Sequence, residues 1–128
     1  MAAMVLLLHE TPDGGSHFDW LIARDEAGPL VSFRVAERVD LPSSEGAMEV
    51  RAARAPDHRR EYLKREGPLS GGRGRVTRVA SGQASIETDR AEEIAFSARW
   101  DGAERGVCVR GAPRAEGGWV LEIRGEAP

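Results

Sequence analysis

Short apolar or alternating runs, each bounded by Gly, Pro, Asp or Ser, recur along almost the whole chain, and that pattern predicts strands rather than helices. Candidate strands cover residues 4–8, 17–23, 30–36, 47–53, 74–80, 83–87, 93–100, 105–110 and 118–124. The joints between them carry turn chemistry: Pro12-Asp13-Gly14-Gly15, Ala27-Gly28-Pro29, Pro42-Ser43-Ser44-Glu45-Gly46, Ser81-Gly82, Asp101-Gly102 and Glu116-Gly117-Gly118. One segment differs. Residues 57–66 contain no β-branched side chain, begin after Pro56 and stop at Gly67-Pro68, which predicts a short helix with His58 and Tyr62 on one face. The fold class expected is mainly β, an antiparallel β-barrel of about eight strands with one short helix, because closing the sheet removes exposed edges. The three tryptophans, Trp20, Trp100 and Trp119, fall in strand-like runs and are expected in its core.

A chain of 128 residues fits a single domain over 1–128, large enough to bury roughly two-thirds of the surface of the unfolded chain. The lone Cys108 excludes an intramolecular disulfide and a cysteine zinc cluster, and its setting between Val107 and Val109 predicts a buried strand position. Met1 to Leu8 has no basic leader, and its apolar run is far shorter than the ~20 residues a membrane helix needs. A cytoplasmic protein without a membrane partner is expected.

Charge is uneven. Residues 1–49 carry three arginines against nine acids, residues 50–80 nine basic groups against three acids, and residues 81–128 six against nine. A basic middle third in a chain of net charge −3 suits an anionic substrate held locally, not a nucleic-acid coat over the whole surface. Seventeen of the eighteen basic residues are arginine, the side chain suited to forked contacts with phosphate. A GC-rich genome produces the same bias.

The three histidines add chemistry to this picture. In His17-Phe18-Asp19-Trp20-Leu21-Ile22 strand alternation places His17, Asp19 and Leu21 on one face and the apolar Phe18, Trp20 and Ile22 on the other. His9 ends the run Val5-Leu6-Leu7-Leu8, a short buried strand that can deliver an imidazole at its tip. Two imidazoles and a carboxylate form a first coordination sphere for Mn²⁺ or Zn²⁺, with positions left for water or a phosphate oxygen. The plainer alternative is surface histidines with Asp19 capping the turn at Ser16. His58 and Tyr62 offer an imidazole and a phenol that can donate to phosphate; a packed Tyr62 beside a solvated His58 is the plainer reading there. Gly71-Gly72-Arg73-Gly74-Arg75 lets backbone amides and Arg73 approach an anion, yet glycine-rich hairpin tips with an arginine are common.

Taken in order, these motifs resemble the 3′-phosphoesterase domain family found at the N-terminus of bacterial DNA ligase D and as small stand-alone proteins. The matching pieces are His9, His17-Phe18-Asp19, Ser32-Phe33, Asp57-His58 with Tyr62, Glu66-Gly67, Gly71-Gly72-Arg73-Gly74, and Val107-Cys108-Val109-Arg110 before Trp119-Val120-Leu121, spread over nearly the whole chain. The resemblance implies a β-barrel holding Mn²⁺ through His9, His17 and Asp19. It also implies that His58 and Tyr62, assisted by Arg73 or Arg110, bind phosphate while a 3′-terminal ribonucleoside and then the 3′-phosphate are removed in DNA end repair. Partners implied are nucleic-acid 3′ ends and a DNA repair ligase or polymerase. Leu21 stands where the family has a phosphate-contacting arginine, which weakens the phosphate site and leaves as alternative a non-catalytic module docking a 3′-phosphate or a repair partner. On this reading Leu21→Arg is expected to raise activity.

Overall fold

The computed structural model describes residues 1–41 and 46–126; most of the turn expected at Pro42 to Gly46 lies outside them. Nine strands are present among the described residues: β1 (Ala2–Glu10), β2 (Ser16–Ala23), β3 (Leu30–Val35), β4 (Ala47–His58), β5 (Gly67–Pro68), β6 (Arg75–Asp89), β7 (Ile94–Trp100), β8 (Val107–Pro113) and β9 (Trp119–Gly125). They form one antiparallel sheet in the order β1-β2-β3-β4-β9-β8-β7-β6-β5, and the further pairing of β6 with β1 closes eight of them into a barrel-like ring. The mainly β, barrel-like architecture expected from the alternation is therefore present. No helix among the described residues is long and apolar enough to cross a membrane.

The apolar residues separate into two cores because β1 and β2 are covered on both faces. Inside the ring lie Met4, Leu6, Trp20, Ile22, Phe33, Phe96 and Leu121, with Trp20 edge-on to Phe96 at 5.3 Å and stacked on Trp100 at 5.8 Å. On the outer face Val5, Leu7, Leu21, Ala23, Leu30, Leu69 and Val76 form a second core, roofed by Tyr62 and Leu63. That is why Val5 to Leu8 reads as an unbroken apolar run instead of an alternation.

Three local expectations are corrected. The helix over 57–66 is a single 3₁₀ turn, Arg60–Leu63: β4 continues to His58, which pairs with Leu30, so the sheet captures backbone that local propensity alone would have coiled. The turn at Ser81-Gly82 is absent, and β6 runs straight through it, with residues 82–84 paired to β1 on one edge and to β7 on the other. Gly82 is required there because a side chain would strike the Arg99 carbonyl of the adjacent strand. Cys108 is exposed, since Val109 points into the core and alternation turns its neighbour outward. Trp20 and Trp100 are buried as expected, whereas Trp119 is half-buried at the edge of the inner core, packed on Phe33.

Candidate metal centre

The β1–β2 hairpin builds the site. Its turn is tied by the amides of Thr11 and Gly15, which donate to the Gly15 carbonyl and the Asp13 carboxylate at 2.9 Å each, and by Gly14, whose φ of +87° suits a residue without Cβ. The register that follows sets His9 opposite His17 and Leu7 opposite Asp19. Directly paired residues share a face, so the two imidazoles and the carboxylate meet on the outside of the ring, at the border of the second core.

His9 Nδ1 lies 3.2 Å from His17 Nε2; His17 Nε2 lies 3.2 Å from Asp19 Oδ1, and His9 Nδ1 lies 3.7 Å from Asp19 Oδ2. Among the described residues these three are the ones whose donor atoms converge, all within 4.8 Å of one another. Ligands ~2.0–2.2 Å from one cation stand roughly 2.8–3.6 Å apart, from octahedral to tetrahedral angles, so the spacing fits a shared divalent ion. The second nitrogen of His9 strengthens this fit. His9 Nε2 lies 2.9 Å from the Arg73 carbonyl, which only accepts, so a neutral His9 carries its proton on Nε2 and points the bare Nδ1 lone pair at Asp19 and His17. An imidazole anchored through its far N–H to a carbonyl is the usual support of a metal-binding histidine.

Burial lowers the pKa of His17; the nearby Asp19 carboxylate opposes that, while the charges of Arg34 and His9 add to it. A neutral imidazole at pH 7 has no proton to lose before coordinating a cation. Asp19 is 5 % exposed, and His17 Nε2 faces two acceptors at 3.2 Å each, the bare His9 Nδ1 and Asp19 Oδ1. Such a convergence of lone pairs on one proton is a place where a cation is favoured.

The other expected site residues are arranged differently. Arg73 reaches the cluster through its carbonyl, while its guanidinium donates to the Ser70 carbonyl at 2.8 Å and the Ser70 hydroxyl at 3.1 Å. His58 and Tyr62 are together, rings edge-on at 5.4 Å, with His58 Nδ1 3.1 Å from the Pro56 carbonyl. They make no hydrogen bond to the triad among the described residues. His58 pairs with Leu30, two same-face rows beyond the Asp19–Arg34 row, a displacement of roughly 13 Å along the strand. Arg110 lies on β8, four strands round the ring from β2, 77 % exposed and facing Glu93 at 3.9 Å. The structure does not bring it to the triad. Leu21, on the triad's face as expected, is fully buried in the second core instead of facing a substrate.

One basic residue beside the triad carried no sequence signal. Arg34 on β3 pairs directly with Asp19, is exposed, and makes no hydrogen bond or ion pair among the described residues. Only the strand register, which the sequence does not spell out, places it there. No family model matches the chain and no curated protein matches it, so the chemistry rests on this geometry and on the motif resemblance.

Proposed function

We propose that this protein is a divalent-metal phosphoesterase acting on nucleic-acid 3′ ends, removing a 3′-ribonucleoside or 3′-phosphate in DNA end repair. The observation that carries the metal half of this reading is the triad of His9 Nδ1, His17 Nε2 and Asp19 Oδ1, with His9 anchored through its other nitrogen to Arg73. The 3′-end half is supported by the ordered motifs that resemble the ligase D phosphoesterase family. Mn²⁺ fits this mixed nitrogen and oxygen donor set, as does Zn²⁺. When bound, such a cation polarises a phosphoryl oxygen and lowers the pKa of a coordinated water. The chain itself contributes orientation: the Arg73 carbonyl fixes the His9 ring, and Asp19 stands beside Leu7 and Leu21, both buried in the second core.

A specific observation favours the alternative of a 3′-phosphate or repair-partner docking module. The side chain next along β2 from Asp19 on that face is an apolar, fully buried leucine, and His58 and Tyr62 stand apart from the triad. The test is turnover of a 3′-phosphorylated and a 3′-ribonucleotide-ended primer with Mn²⁺, against the same reaction with chelator. Activity lost in His17→Ala and Asp19→Ala, with melting temperatures kept, is the expected result. Tight Mn²⁺ binding and 3′-end binding without turnover would leave the docking module, and Mn²⁺ affinity unchanged in both variants would defeat the metal centre.

A further inference from the structure

We infer that Arg34 is the phosphate-binding arginine of this site, holding the anion on the β3 side of the triad. The inference rests on the proposed metal centre and adds a residue that none of the motifs contains.

The surroundings of the triad leave one direction open. On the β1 side the loop containing Arg73 comes down onto His9 through its carbonyl. Along β2, away from the hairpin turn, the second core begins at Leu21 and is roofed by Tyr62 and Leu63. Toward β3 the neighbour of Asp19 is Arg34, and beyond it on β4 the paired residue is Ala53, a methyl group that leaves the outer face unobstructed.

Arg34 is directed outward by strand alternation, because Phe33 and Val35 on either side of it point into the inner core. Side chains directly paired across antiparallel strands have Cβ atoms ~4.5–5.5 Å apart, so the guanidinium is within reach of an anion placed over Asp19. Two other arginines near this face are already engaged. Arg78 donates to the Leu63 carbonyl and faces Glu66, and Arg73 is turned to Ser70; Arg51, exposed two residues along β4 from Ala53, stands one strand farther from Asp19 than Arg34 does. Among the described residues Arg34 has no such partner. An unpaired guanidinium beside a carboxylate already directed at two imidazoles does not stabilise the fold by pairing; its planar fork suits two oxygens of a tetrahedral phosphate whose third oxygen faces the cation.

Loss of Arg34 should weaken anion binding without weakening metal binding, and this separates a phosphate contact from a structural role. Removing a cation from beside a divalent-ion site leaves Mn²⁺ affinity unchanged or higher. Removing a charge-assisted phosphate contact weakens the anion by roughly 10- to 100-fold.

The experiment is calorimetric titration of Mn²⁺ into the wild type, Arg34→Ala and Arg34→Lys, followed by titration of inorganic phosphate into each Mn²⁺-loaded protein, with melting temperatures recorded alongside. The expected result is Mn²⁺ affinity kept in all three, phosphate affinity lowered tenfold or more in Arg34→Ala, and an intermediate loss in Arg34→Lys, which keeps charge but not the fork. Equal phosphate affinity in wild type and Arg34→Ala overturns the inference while leaving the metal centre standing. So does a Mn²⁺-loaded wild type that binds no phosphate, or a loss of Mn²⁺ affinity in Arg34→Ala. A wild type that binds no Mn²⁺ defeats the metal centre itself, and the role of Arg34 with it.

Discussion

Leu21→Arg separates what the motif pattern implies from what the packing permits. By sequence, Leu21 shares a face with His17 and Asp19, and an arginine there should improve the phosphate site. In the structure the side chain is 0 % exposed, packed among Val5, Leu7, Ala23, Leu30, Leu69 and Val76 beneath Tyr62 and Leu63. Three costs then add. Losing the burial of a leucine costs about 1.5–3 kcal/mol, and forcing a longer chain into a filled space costs about 1–3 more. Desolvating the guanidinium costs further unless it escapes past the roof. The first two together come to about 2.5–6 kcal/mol, and a loss of ~4 kcal/mol is a large part of the ~5–15 kcal/mol that holds a domain folded. With an unfolding entropy of about 2.1 cal/mol/K per residue, it lowers the melting temperature by on the order of 15 °C. Thermal unfolding followed by circular dichroism reads this directly, with Leu21→Met, which conserves volume, as the control expected to lose little. A Leu21→Arg protein melting within ~2 °C of wild type with higher phosphoesterase activity would refute the buried placement and restore the motif-based expectation.

Trp20→Ala, in the middle of the inner core, should cost about 3–5 kcal/mol in chemical denaturation, whereas Phe18→Ala, only partly buried, should cost clearly less. Equal losses would contradict this division of β2. Asp89 supplies a pH dependence: burial raises its pKa, but hydrogen bonds and charge from Arg54 and Arg24 outweigh that and hold it below the ordinary carboxylate value. The folded pKa is the lower one, so this stabilisation is present above the ordinary carboxylate pKa and lost as pH falls through the folded value; Asp89→Asn should flatten that acid limb. Gly74→Ala should weaken Mn²⁺ binding in titration calorimetry, because Gly74 has φ +94° and an added Cβ would collide with the Glu10 carbonyl, displacing the chain that presents Arg73 to His9. An unchanged affinity would remove the Arg73 carbonyl from the account. Any binding to a single-stranded 3′ end should weaken with salt, with a slope flatter by ~0.7 for each phosphate-contacting arginine neutralised, and a slope indifferent to salt would exclude phosphate contacts.

What the sequence makes legible is what depends on local periodicity. Alternation in His17 to Ile22 correctly divides β2 into an inner face of Trp20 and Ile22 and an outer face of His17, Asp19 and Leu21. The apolar run before His9 correctly announces a strand that carries an imidazole near its end, although β1 runs on to Glu10. Non-local pairing is not written in any single run. The approach of Arg34 to Asp19, the far-side location of Arg110 and the passage of β6 between β1 and β7 at Gly82 all follow from register and strand order. Cys108 differs, since the alternation of Val107 and Val109 already turned it outward, and only the assumption that apolar neighbours bury everything between them hid this.

The roof over Leu21 was the least legible element and has the widest consequences. Residues 59–74 cross the outer face of β1 and β2, sealing the second core with Tyr62, Leu63 and Leu69 and, at their far end, setting the Arg73 carbonyl against His9. The inner core is a separate packing unit, and neither His17 nor Asp19 contributes to it. Triad side chains can therefore be exchanged with little effect on the ring, while changes in the second core alter the backbone that orients His9. In the proposed metal centre, affinity is thus tied to the packing of the outer, smaller core: a substitution at Leu69 or Leu63 that loosens the roof is expected to relax the His9 ring without touching a donor atom, because its orientation is held by the carbonyl behind it.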